Sequence, residues 1–448
     1  MNRTRLLQAA ALAAGLVLAA NASAQFRLPQ LPPPLPPQLP ALPPAPDLRI
    51  EKPPVVPRLE SLPDLSDLLE SRTLTIGRLL REHGHLIEAD PAGHPAIRGE
   101  VVVLSPSPAA LEAARAKGFS VVRESALEAL GERVVVLRAP SGATTAASVL
   151  ALRQLDSQAP YDFNHLYLRA GAIRHELAQA PTAAGRAKAP GASSRVGLID
   201  GGVDRRHPAL RHAEVRTFGC SGKQIADLHG TGVASLLVGR APGFAGAIPD
   251  ATLYAADVYC DQPTGGTAAL LAEALAWMAR ENVPVVNVSL VGPANLMLER
   301  AVRRVIARGQ IVVAAVGNDG PAAPPLYPAA FRGVIAVTAV DAQRRVLPEA
   351  GRGAHVAFAA PGADMATAAS DGHGYARARG TSFAAPLVAG LLARAASADS
   401  GGIEQPAAPR ALGVLIRSAI DLGPPGPDEI YGFGLVGENL RVDPRSLR

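Results

Sequence analysis

The sequence predicts an α/β protein whose larger part is a mostly parallel, doubly wound sheet flanked by helices, preceded by a small α+β domain. Short apolar runs at residues 196–199, 252–256, 283–290, 311–316, 334–340 and 355–358 alternate with helical runs at 267–281 and 295–308. Strands that lack polar alternation are buried on both faces, as the strands of parallel sheets are. Composition agrees: of 448 residues 48% are hydrophobic, only 19% are charged and only 4% are aromatic, so a large core must be packed mainly from Ala, Val and Leu. That length exceeds one typical domain and leaves room for accessory regions.

Residues 1–24 carry the pattern of an export signal. Arg3 and Arg5 precede an apolar run at 6–20 that is short for a membrane span, and Ala22-Ser23-Ala24 is a small-residue cleavage pattern before Gln25. An uncleaved anchor is the alternative. No later run is long and apolar enough to cross a bilayer, so the expectation is a secreted or periplasmic protein with no stable membrane insertion after signal removal. Residues 25–57 are dominated by proline and predict an extended polyproline-like spacer. Residues 58–170 predict the small domain, with strands at 101–104, 119–122 and 134–137 and helices at 108–117 and 146–155. Residues 171–194, rich in Gly, Ala and Pro from 178 onward, predict a flexible, protease-accessible linker. Residues 195–448 carry the large α/β domain.

The net charge is +5 and the basic residues are nearly all arginine, scattered rather than clustered with aromatics, which excludes the usual nucleic-acid footprints. The two cysteines, Cys220 and Cys260, have neither C-x-x-C spacing nor neighbouring histidines, so no metal site is expected. In an exported chain they predict one disulfide; two buried free thiols are the alternative.

Four polar residues sit where α/β folds do chemistry. Asp200 ends the apolar run 196–199 beside Gly201-Gly202, at the carboxyl end of a parallel strand. His229 opens an apolar helical run in DLHGTGVAS. Asn318 follows the run 311–316, where its amide could donate to an oxyanion. Ser382 precedes the helical run 387–396 in GTSFAAP, where free backbone N–H groups favour developing negative charge. Taken singly, each has an ordinary reading: a turn aspartate, a structural histidine, a turn asparagine and an N-cap serine.

Together and in this order, the Asp block, the block HGTGVAS, the Asn block and the block GTSFAAP resemble the subtilisin-like (subtilase) serine peptidases over roughly residues 196–436. The resemblance implies a serine endopeptidase with Asp200, His229 and Ser382 as its triad and Asn318 in the oxyanion hole. It also implies that Ser289, Leu290 and Gly292 bind substrate as an added strand. Protein or peptide substrates would be the partners, and residues 58–170 would be a propeptide acting as intramolecular inhibitor, cut away within 170–194. No cofactor is required for such catalysis. Calcium often stabilises the family, but no ligand cluster is specific enough to assign. Two departures stand out: Gly201, where the family usually has Thr or Ser, and Phe383, where it usually has Met or Ala. His207 reads as structural, and the sequon Asn287-Val288-Ser289 falls in a buried strand. Other hydrolase classes fail on motif: no G-x-S-x-G elbow is present, and His175-Glu176 lacks the second histidine of a zinc peptidase.

Overall fold

The computed structural model of the chain describes residues 72–179, 194–223, 225–370, 374–398 and 407–447. The export signal and proline spacer expected over residues 1–57, residues 58–71 of the expected small domain, and residues 180–193 of the expected linker lie outside the described residues.

The small domain opens with helix α1 (Arg72–Glu82) and builds an antiparallel sheet from β1 (Ile87–Ala89), β2 (Pro95–Leu104), β3 (Ser120–Leu127), β4 (Glu132–Arg138) and β5 (Asp162–His165). Helices α2 (Pro108–Ala116) and α3 (Thr145–Leu155) are capped by Ser107 and Thr144, whose side chains accept the N–H groups of Ala110 and Ala147. The apolar runs of β2 and β4 serve two cores. Val101, Val103, Val135 and Leu137 pack with Leu111, Val149 and Leu152 of the helices, while Val102, Leu104, Val134 and Val136 face the larger part of the molecule. Alternate side chains of a strand point to opposite faces, so a strand apolar at every position needs a partner on each side.

Two short strands, β6 (Leu168–Arg169) and β7 (Ala172–Gln179), lead out of the small domain. The larger part then runs β8 (Arg195–Asp200), β9 (Val215–Phe218), α4 (Leu228–Val238), a small hairpin of β10 (Arg240–Ala241) and β11 (Phe244–Ala245), and β12 (Thr252–Asp257). It continues with α5 (Ala268–Arg280), β13 (Val285–Val288), β14 (Leu290–Val291), α6 (Leu296–Ala307), β15 (Ile311–Ala315) and β16 (Ile335–Val340). Last come β17 (Val356–Pro361), β18 (Met365–Ala368), β19 (Gly374–Arg379), α7 (Thr381–Ser397) and α8 (Ala407–Ser418).

Seven of these strands form one sheet in the order β17-β16-β15-β13-β8-β12-β9, with every pairing parallel. Helices α4, α7 and α8 cover one face, and α5 and α6 cover the other. Small residues permit the close approach: a Cβ on Gly197 of β8 would stand 2.7 Å from Met278 Sδ of α5. From β8 the chain goes first to β9 and β12 on one side, then to β13 and beyond on the other. The carboxyl end of β8 therefore borders the crevice where open α/β sheets hold their ligands.

Three expected elements differ in ways that matter to the site. The strand expected over 283–290 breaks at Ser289, between β13 and β14. The helix expected over 387–396 begins at Thr381 and contains Pro386. Part of the expected linker, residues 172–179, is the strand β7, paired antiparallel with β19. Pairing across the fold, which composition does not reveal, sets that conformation.

Candidate active site

Asp200 is fully buried at the end of β8, and its carboxylate accepts the Gly201 N–H at 2.7 Å. His229, in the first turn of α4, sets Nδ1 at 2.9 and 3.0 Å from the two Asp200 oxygens. A carboxylate on Nδ1 fixes the ring orientation and leaves Nε2 as the nitrogen able to accept a proton. That Nε2 is buried and finds no hydrogen-bond partner among the described residues.

Ser382 lies in the first turn of α7, where backbone N–H groups have no intrahelical acceptor. Its Oγ donates to the Ser289 carbonyl at 3.0 Å, and the Ser289 hydroxyl donates to the Ser382 carbonyl at 2.9 Å. Pro386 explains the second bond. With no N–H of its own, it leaves the carbonyl four residues earlier without its helical donor, and Ser289 supplies one. The same interruption that makes the sequence look non-helical thus ties the helix start to the broken strand. Asn287, the sequon asparagine, is fully buried and donates to the Ser289 hydroxyl at 2.9 Å.

Asn318 accepts the Thr381 N–H at 3.1 Å through Oδ1, while its Nδ2 is buried without a partner among the described residues. The point where a Gly380 Cβ would stand is 2.9 Å from that Nδ2 and 3.2 Å from the Ala170 carbonyl oxygen. The Ala170 oxygen itself accepts the Ser382 N–H at 3.0 Å.

The chain's own segment fills the cleft. Leu168 and Arg169 pair antiparallel with Val291 and Leu290. On the other flank the Tyr167 N–H donates to the Gly266 carbonyl at 2.7 Å. Gly292 is bare because the Tyr167 ring lies where its side chain would be, 2.7 Å from the would-be Cβ. Beyond Ala170, Gly171 passes Phe383 so closely that a Cβ on it would be 2.6 Å from the ring. The chain then continues as β7 along β19.

Leu290 and Gly292, expected to bind an added strand, face β6 and Tyr167, whereas Ser289 braces Ser382. His207 is buried against the Gly374 carbonyl at 2.8 Å and the Tyr375 ring. Cys220 and Cys260 are joined in a disulfide. Among the described residues the one grouping of metal-ligating side chains is Cys220, Asp257 and Cys260. Its sulfurs are already bonded to each other, and one carboxylate falls far short of the six to eight oxygens calcium takes, so the group does not fit that ion. No helix among the described residues is long and apolar enough to cross a membrane.

Two site residues escape sequence reading. Asp227 caps α4, its Oδ1 accepting the Gly230 N–H at 2.9 Å, and its Oδ2 pairs with Arg169 at 2.6 Å. Tyr259 donates its hydroxyl to the Tyr167 carbonyl at 2.6 Å. Asp227 is visible in the sequence as the residue that opens DLHGTGVAS, but its link to Gly201 is not: a Cβ there would stand 2.5 Å from Asp227 Oδ1, so the carboxylate occupies the space a Thr or Ser would fill.

The thermophilic serine proteinase of Bacillus sp. (strain AK1) is 34% identical over 256 residues, 55% of this chain and 60% of that protein. Subtilisin E of Bacillus subtilis (strain 168) is 31% identical over 245 residues, 51% of this chain and 64% of its own length. The chain thus spans less than two thirds of these relatives. Among solved structures, fervidolysin from Fervidobacterium pennivorans, described as a keratinolytic enzyme related to subtilisin, superposes with a TM-score of 0.62 at 18% identity. That superposition covers 79% of this chain and 62% of that one, and at such identity it shows a common fold. The model of the subtilase family (Peptidase S8) matches residues 191–434, more than half of the chain and the whole span from Asp200 to Ser382, and the chain belongs to that family.

Proposed function

We propose that the chain is a serine endopeptidase, exported and made as a proenzyme, that cuts its own Ala170–Gly171 bond and then hydrolyses peptide bonds in other proteins. One observation carries the reading: the Ala170 carbonyl accepts the backbone N–H of Ser382 at 3.0 Å, at the N-terminus of the nucleophile's helix. A carbonyl held there is polarised by the groups that would stabilise its tetrahedral oxyanion. Asn318 Nδ2, buried and unpaired, supplies the second donor when the oxygen moves outward and gains charge.

The reaction follows from the atoms present. Ser382 Oγ rotates from the Ser289 carbonyl toward His229 Nε2, gives up its proton there and bonds to the Ala170 carbonyl carbon. Asp200 holds the ring and offsets its positive charge. The C–N bond to Gly171 then breaks, and Nε2 returns the proton to the departing Gly171 amine. The Ala170 ester on Ser382 is hydrolysed by water, deprotonated in turn by His229, and residues up to Ala170 leave as a free carboxylate. Until then residues 167–171 block the cleft by lying in it as substrate would, which makes the propeptide that carries them an inhibitor.

N-terminal sequencing of the mature protein tests this directly. Gly171 is expected as the first residue, and Ser382→Ala is expected to remain uncut. A mature N-terminus elsewhere rejects the assigned bond, and cutting that survives in Ser382→Ala rejects the nucleophile.

A further inference from the structure

We propose that the pocket for the second residue before the cut is built to recognise arginine, with Asp227 and Tyr259 as its specificity-determining side chains. The inference rests on the reading that the Ala170–Gly171 bond lies across the catalytic groups, since that makes Arg169 the second residue on the acyl side.

Arg169 shows how the pocket is filled. Its guanidinium pairs with Asp227 at 2.6 Å, and its central carbon sits 4.0 Å above the Tyr259 ring. The ring is pinned from its other end, where the hydroxyl donates to the Tyr167 carbonyl at 2.6 Å. Any peptide in this register brings a carbonyl to the same place, so the ring is positioned by substrate backbone and left to read the side chain two residues on. Asp227 is held as firmly: one oxygen caps α4 at Gly230, which leaves the other aimed at the guanidinium.

Capping alone does not require this arrangement, because Ser, Thr or Asn would serve. The carboxylate brings a charge that the cap does not need, and Gly201 leaves the room its side chain occupies, since any side chain there would overlap Asp227. The field is also biased toward a cation. Asp257 titrates above its ordinary range, through burial first and then through the negative charge of Asp227 and Asp200. Arg169 is held above its usual value although burial works against it, because Tyr259, Asp227 and Asp200 outweigh that cost. Arginine suits a planar ring and a carboxylate edge together, whereas lysine keeps the charge and loses the stacked plane.

The Arg169 side chain is 36% exposed, so solvent screening keeps the effect moderate. A preference on the order of tenfold in kcat/KM is the scale that a partly exposed ion pair and a cation–π contact provide together. The test uses enzyme matured from the full chain and four fluorogenic peptides ending Leu-X-Ala before the reporter amine, with X as Arg, Lys, Gln or Leu. Wild type is expected to prefer Arg over Gln and Leu about tenfold, with Lys between. Asp227→Asn, which keeps the cap and removes the charge, is expected to shrink the Arg-to-Gln ratio to near one, and Tyr259→Leu to erase the advantage of Arg over Lys. Equal cleavage of all four peptides by wild type overturns the arginine pocket and leaves the peptidase reading standing. An unchanged ratio in Asp227→Asn overturns the role of Asp227. Failure to cleave any of the peptides, with no labelling of Ser382 by a fluorophosphonate, overturns the peptidase reading itself.

Discussion

The small domain grips the rest of the molecule in two regions of opposite character. In the cleft, residues 167–171 are held by backbone pairing and by the groups assigned to catalysis. On the outer face, Val102, Leu104, Val134 and Val136 pack against α5 and α6, and polar groups reinforce the contact. Asp162 and Asn164 accept the N–H groups of Leu296 and Ala269 at the starts of those two helices, at 2.8 and 3.3 Å. Glu132, almost wholly buried, takes Arg300 at 3.1 Å and Arg304 at 2.8 Å. The first region is consumed by the reaction it presents, because one hydrolysed bond ends its continuity. The second contains no bond the reaction touches. Cutting and release are therefore separable events, and a cut propeptide still bound is expected to remain an inhibitor.

Perturbing the cleft should break this comparison most sharply. Ser382→Ala is expected to stop cutting and lower peptide hydrolysis by on the order of 10⁶, a magnitude taken from subtilisin, with the uncut segment still seated in the cleft. Asn318→Leu should reduce turnover about 10²–10³-fold, again a figure from a member of this family, measurable as single-turnover cutting of the precursor. Next comes Gly171→Val, whose side chain would meet Phe383; self-cutting is expected to slow on the order of tenfold or more, and Phe383→Ala should restore part of it.

The outer face should respond differently. Glu132→Gln is expected to leave the rate of cutting unchanged and weaken inhibition by released propeptide on the order of tenfold, read as Ki. The same contact has the smallest and most conditional pH effect. Burial pushes the Glu132 carboxyl up, but Ser105, Arg304 and Arg300 outweigh it and hold the pKa below its ordinary 4.5. Ser105 belongs to the propeptide itself, so what binding adds is the share from Arg304 and Arg300, which strengthens affinity above the ordinary value and is lost as pH falls through the lowered one. Inhibition should accordingly be flat in this term from neutral pH to about 5 and weaken only below about 4.5, and Glu132→Gln should remove that decline.

Much of this was legible in sequence because the informative residues are abnormal for their surroundings. A lone carboxylate ending an apolar strand, or a His and a Ser each opening an apolar helix, has a definable place in a parallel fold. Two-faced strands such as Val101–Leu104 also declare that something covers both sides. What escaped depends on partners distant in sequence. β7 and β19, AIRHELAQ and GYARAR, carry no periodicity that outweighs composition, and β7 is a strand because β19, itself paired with β18, is beside it. The departure at Gly201 reads as a lost hydroxyl until Asp227 is found in its place, 26 residues later in the chain. Phe383 likewise has no visible consequence until Gly171 is set against it.

The Cys220–Cys260 bridge has a consequence of another kind. It closes a loop with a sequence separation of 40 that contains Asp227 and His229 and anchors the residue next to Tyr259, while Asp200, Asn318 and Ser382 lie outside it. Such a loop closure is worth roughly 4 kcal/mol in the chain-entropy model. Thiol chemistry is thus wired both to the wall that reads arginine and to the imidazole that moves the proton. In a reducing compartment the choice of substrate and the seating of His229 would loosen together, and both would be acquired with oxidation.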